Sequence, residues 1–142
     1  MALTAKTFRS DILTPNLDEL DQGYDLIHRA FNAVAAVDAY AAHIFYAAEK
    51  MDINVSAELS LDQKASRDDT AFRQALSDNC SEFCILRDLA KANKHARLTR
   101  HRPQVANSGQ ANVKSKGYGQ DGYGEGRYGG PPQIFVEVNC GQ

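Results

Sequence analysis

The chain contains no run of eighteen apolar residues, so no helix in it has the length and character of a membrane span. Its start, MALTAKTFRSD, carries no apolar stretch of the kind a secretory signal needs, and a cytoplasmic protein is expected. Cysteines are few: Cys80, Cys84 and Cys140 make an odd number with no framework spacing, which excludes a disulfide scaffold and suits a reducing compartment. Walker A and Rossmann patterns are missing, as is a Gly-x-Ser-x-Gly elbow, so the common phosphate-cradling and serine-hydrolase readings have no support. Cys80 and Cys84 stand one helical turn apart. His43, His95, His101 and Cys140 add no second pair at zinc spacing, so neither a metal nor a cofactor is expected.

What is present fits one domain of 142 residues and 15.6 kDa, 43% hydrophobic and 24% charged. The net charge of −2 hides an asymmetry. Residues 1–82 carry 7 Lys/Arg and 14 Asp/Glu; residues 83–142 carry 9 and 4. Six cations (Arg87, Lys91, Lys94, Arg97, Arg100, Arg102) face one acid, Asp88, within 87–102. Such a patch either binds phosphates or neutralises the acidic half, within one chain or across a dimer.

Periodicity predicts an all-α fold: a small bundle of three main helices, one of them long, with a Gly/Tyr-rich loop and a single C-terminal β-strand. Residues 1–15 read as irregular, and Pro15 places the first helix start after it, with Asn16 as N-cap. The stripe Leu20, Tyr24, Ile27, Phe31, Val34, Ala41, Phe45, Ala48 steps by threes and fours, which predicts one helix over about 17–50. Asp38 falls on that stripe and needs a partner on another helix, for which Asn93 is the candidate. His28 and His43 are expected on solvated or dimer-facing sides. Residues 51–66 read as a connector with a short helical turn. Asp68 or Asp69 caps a second helix over about 69–78, with Phe72, Ala75 and Leu76 inward. A third spans about 80–99. It turns Phe83, Leu86 and Leu89 inward and Arg87, Lys91 and Lys94 to the opposite side. Phe31, Val34, Phe45, Phe83, Leu86 and Leu89 form the expected core.

The domain plan is a helical bundle over 1–104, a flexible Gly/Tyr-rich loop over 105–132, and a strand within 133–142. Tyr-Gly recurs at Tyr118, Tyr123 and Tyr128. These tyrosines either stack on bases or ride on a mobile connector. Ile134, Val136 and Val138 alternate with Phe135 and Glu137 in strand fashion. A strand followed only by a turn lacks its mate, so another segment or a partner chain supplies it, or the chain is truncated. That gap, and a long helix with more apolar stripe than two short helices cover, predict a homodimer.

The most informative stretch is Arg87-Asp88-Leu89-Ala90-Lys91-Ala92-Asn93-Lys94-His95. Asp88 and His95 differ by only about 20° around a helix, while Arg87 and His95 diverge by about 80°. An imidazole beside guanidinium and ammonium groups can move a proton on a phosphate ester while the cations hold it. The stretch resembles a motif of bacterial helical proteins written roughly Asp-Ile-Ala-Asn-Ala-x-Lys-His, with Lys91 in place of its Asn. It is also similar to the HEPN superfamily of all-helical proteins, many of them dimeric, metal-independent ribonucleases with an Arg-polar pair followed by His. Arg87-Asp88 matches that pair and His95 the histidine, with seven residues between Arg87 and His95 where the superfamily has four to six. The resemblance implies RNA as partner and Arg87, Asp88 and His95 as catalytic residues. Lys91, Lys94, Arg97 and Arg100 would then contact nucleic acid. The alternative is a non-catalytic helical interaction module, with a protein partner pairing to the 133–138 strand.

Overall fold

The computed structural model describes residues 3–22, 26–95, 98, 103–114 and 133–139. Helices dominate it. In chain order they are α1 (Ala5–Phe8), a π-helical turn (Arg9–Leu13), α2 (Thr14–Asp21), α3 (Ile27–Lys50), α4 (Val55–Glu58), a 3-10 turn (Gln63–Ser66), α5 (Asp69–Asn79) and α6 (Ser81–His95). A second 3-10 turn (Ser108–Gln110) leads into strand β1 (Ala111–Lys114), which pairs antiparallel with β2 (Gln133–Val136), Ala111 opposite Val136. The all-α reading with a C-terminal strand holds.

Several local expectations are corrected. Residues 5–15 are helical, not irregular. Thr4 accepts from the Thr7 amide and opens α1 with a reciprocal capping box. The helix passes through Pro15 because the chain widens just before it: the Thr14 amide reaches back five residues to the Arg9 carbonyl. Asn16 is no N-cap; its Nδ2 donates to the Ile12 carbonyl at 2.7 Å inside this continuous stretch. The 17–50 helix is two helices, α2 ending at Asp21 and α3 starting at Ile27. Arg29 closes the corner, its Nη1 donating at 3.0 Å to the Glu19 carbonyl in the last turn of α2.

α5 starts where its sequence says. Asp68, in extended backbone, accepts from the Ala71 amide at 2.7 Å. The connector before it holds α4 and the first 3-10 turn. Of the Gly/Tyr-rich segment, residues 111–114 are strand, and they supply the mate of β2 from within the chain. Tyr118, Tyr123 and Tyr128 lie outside the described residues.

Two apolar clusters flank α3. On one side Phe8, Leu13 and Ala36 pack with Ile12, Val37 and Tyr40. His43, expected on a solvated or dimer-facing side, stacks on Phe8 at 4.2 Å; His28 is exposed. On the other side Leu89, Val105 and Ala111 pack with Phe31, Val34, Ile85, Ile134 and Val136, so the small sheet lies against α3 and α6. Phe45 meets Phe72 at 5.6 Å. Of the expected core, Phe45 and Leu89 are buried, while Phe31, Val34, Phe83 and Leu86 are half-buried. Much of the inward surface of α3 is alanine: Ala33, Ala36, Ala41 and Ala48 are all buried, and small side chains let neighbouring backbones approach.

Candidate functional site

The stretch 87–95 lies on α6, and α6 meets α3 and α5 along a polar seam. Asp38, in the middle of α3, anchors it. Arg73 Nη1 donates to Asp38 Oδ2 at 2.8 Å, and Arg73 Nη2 donates to Asp69 Oδ2 at 2.8 Å, one turn earlier on α5. Arg87 approaches Asp38 from α6, Nε to Oδ1 at 3.9 Å, while its Nη1 donates to Gln74 Oε1 at 2.8 Å. The Arg87 side chain is 5% exposed. Its Nε and Asp38 Oδ1 are buried atoms without a hydrogen-bond partner.

Two sequence expectations change here. Asp38 does find its partners on other helices, but they are Arg73 and Arg87; Asn93 is exposed. The Arg87, Lys91, Lys94 side of α6 is not one solvated face. Arg87 is buried against α3 and α5, Lys91 is half-buried, and of the three only Lys94 is exposed. Burial is the first cause that lowers the Arg87 guanidinium pKa, with the Asp38 charge opposing it. Lys91 is lowered first by burial and then by Arg87, with Asp88 and Asp38 acting against them.

Asp88 has a different task. Its Oδ2 accepts from the Gln104 amide at 2.8 Å, tying the segment after α6 back onto the helix. Val105, wholly buried in the second apolar cluster, is seated by that tie. Asn139 Nδ2 donates to the Pro103 carbonyl, and Gln110 accepts from the Ala106 amide and donates to the Glu137 carbonyl, which joins the sheet to the same segment. His95 is exposed at the end of α6, beside Lys94. Arg97 and Arg100 lie outside the described residues. The structure therefore brings Arg87 to Asp38 and Gln74, and Asp88 to Gln104, and leaves His95 in solvent.

Sequence reasoning missed Arg73, Gln74 and Gln104. Arg73 had a visible signal, its position four residues after Asp69, the favourable order for a helical ion pair. Gln74 and Gln104 had none, since their partners are thirteen and sixteen residues distant.

Cys80 and Cys84 are free thiols; burial is the first cause that pushes the Cys84 thiol up. Among the described residues no group of three or more His, Cys, Asp or Glu is placed to hold a metal ion, and no helix is long and apolar enough to cross a membrane. Open cavities among the described residues include one at the end of α3 and one that reaches Gln74 of the seam. The first, of about 220 Å³, is lined in part by Phe45, Glu49, Asp52 and Ile53. The second, of about 400 Å³, flanks α5 and is lined in part by Lys64, Thr70, Gln74 and Asp78.

No protein-family model matches the chain, and no curated protein or solved structure is significantly similar to it.

Proposed function

We propose that the chain is a non-catalytic helical interaction module. The observation that carries this reading is the internal use of the two motif residues that catalysis needs free. Arg87 is committed to Gln74 and Asp38, and Asp88 to the Gln104 amide. A phosphate clamp must offer its guanidinium to a ligand, whereas this arginine is buried, hydrogen-bonded to Gln74 and faces the Asp38 charge at 3.9 Å. The test is turnover of a labelled single-stranded RNA with and without EDTA. Wild type and His95→Ala are expected to be equally inactive. RNA cleavage that survives EDTA and falls on the order of 100-fold in His95→Ala overturns the module reading and restores the HEPN-like ribonuclease.

A second reading rests on Lys94 and His95, exposed together at the end of α6. They suit contact with RNA phosphates without chemistry. Affinity would then fall steeply with salt, and Lys94→Ala would weaken binding similarly across sequences. Salt-insensitive or undetectable RNA binding removes this reading.

A further inference from the structure

The last turns of α3 and the chain that follows through α4 carry exposed apolar side chains: Tyr46 is 48% exposed, Met51 64%, Ile53 44% and, at the end of α4, Leu59 52%. Of these, Ile53 also lines the 220 Å³ cavity, with Phe45 and Val55 as the rest of its apolar wall and Glu49 and Asp52 as its charged one. Neither carboxylate joins an ion pair among the described residues. Both sit at the negative end of the α3 dipole, where a carboxylate costs stability. Asp52 also holds a left-handed backbone, φ 56°, at the residue after the helix cap, where glycine fits without strain. The bonds from the Ile53 amide to the Ala48 carbonyl and from the Asp52 amide to the Glu49 carbonyl fix it there.

An apolar patch edged by unpaired negative charge selects an occupant that is basic and partly apolar. The chain itself carries that chemistry. Residues 1–82 hold 14 acids against 7 Lys/Arg, residues 83–142 hold 9 Lys/Arg against 4 acids, and α6 ends in exposed Lys94 and His95. We propose that a second copy of the chain covers this patch, its basic α6 end facing Glu49 and Asp52, with the reciprocal contact closing a two-fold dimer. The two motives read from the sequence for a dimer do not hold, since the long helix is divided and the strand mate is internal; the proposal stands on the surface alone. The inference rests on the interaction-module reading and names its partner.

Sedimentation velocity of the full chain at tens of micromolar, in low and high salt, tests it. Wild type is expected to be a dimer in low salt whose dissociation constant rises about tenfold or more in high salt. Glu49→Lys and Lys94→Glu should each give monomer, and the double charge swap should restore the dimer. Ile53→Lys should give monomer with an unchanged circular dichroism spectrum. If Ile53→Lys loses its fold, the milder Ile53→Thr is measured instead and should weaken the dimer in the same direction. A wild-type monomer in low salt overturns the proposal, as does a dimer indifferent to Glu49→Lys, or a charge swap that restores nothing. RNA turnover does not enter this readout, so the docking surface can fail while the module reading stands, and the reverse.

Discussion

One helix presents carboxylates in two opposite settings. Asp38, in the middle of α3, is 18% exposed and has guanidinium groups from α5 and α6 close to both oxygens. Glu49 and Asp52, at the end of the same helix, are exposed and outside every ion pair among the described residues. Taking a charge out of water is tolerable only when a partner is fixed opposite it, so the Asp38 seam had to be completed within the chain. Charges left in water need no partner to fold. That freedom leaves the end of α3 open to the second copy proposed above, whereas the charges of the seam are already engaged within the chain.

The comparison is broken most forcefully at Asp38. Asp38→Ala leaves Arg87 buried with one neutral partner and Arg73 with Asp69 alone. The expected loss is about 3–5 kcal/mol of unfolding free energy, toward the lower end because Arg73 keeps some solvent. It should appear in a urea titration as a lower midpoint at unchanged slope. The double variant Asp38→Leu/Arg87→Met, apolar on both sides, should recover most of the loss. A loss below about 1 kcal/mol would mean that the seam behaves like an ordinary surface pair.

How much of this was legible follows from which interactions are local. The Asp68 cap and the alternation of Ile134, Phe135 and Val136 lie within a few residues, and both elements stand where the pattern put them. The end of α2 at Asp21 and the start of α3 at Ile27 were not read from the sequence, because the helical stripe runs on unbroken through that stretch. β1 was hidden because Ala111–Lys114 is short and adjoins a glycine-rich segment; its pairing with Gln133–Val136 bridges about twenty residues of chain. For the site, the need of Asp38 for a partner was readable from its place on an apolar stripe. The partner was not. Periodicity counts an arginine as polar and assigns it to solvent, and only the packing of α6 against α3 turns Arg87 inward.

Asp52 sharpens the other side of the comparison. Asp52→Gly removes a left-handed non-glycine residue and a carboxylate at the negative end of a helix dipole. The chain should gain about 0.5–1 kcal/mol, read as a raised thermal midpoint of the monomer in high salt. The same substitution should weaken self-association in low salt. Stability and association thus move in opposite directions, the mark of a residue kept for contact rather than for folding. A destabilised Asp52→Gly would show that the carboxylate makes a folding contact after all and would put it in the same class as Asp38.

Lys91 stands between the two settings, half-buried on α6 beside the seam. Burial, then the Arg87 charge, lowers its pKa below the ordinary lysine value. The unfolded chain therefore holds this proton more tightly than the folded one. Between the folded pKa and about 10.5, the unfolded state binds more protons, so the Lys91 contribution makes stability rise with pH across that window. Below the folded pKa its full cost is present. Tyr46, whose pKa is raised chiefly by its hydrogen bond to Asp69, loses stability as pH climbs past the ordinary tyrosine value, so wild-type data alone mix the two trends. The difference between wild type and Lys91→Met separates them, because Tyr46 is common to both. Lys91→Met should be the more stable chain at neutral pH, and its advantage should shrink as pH rises toward the upper limit of the window. A constant difference from pH 7 to that limit would place Lys91 among the solvated charges of the surface, with Lys94, and leave the seam ending at Arg87.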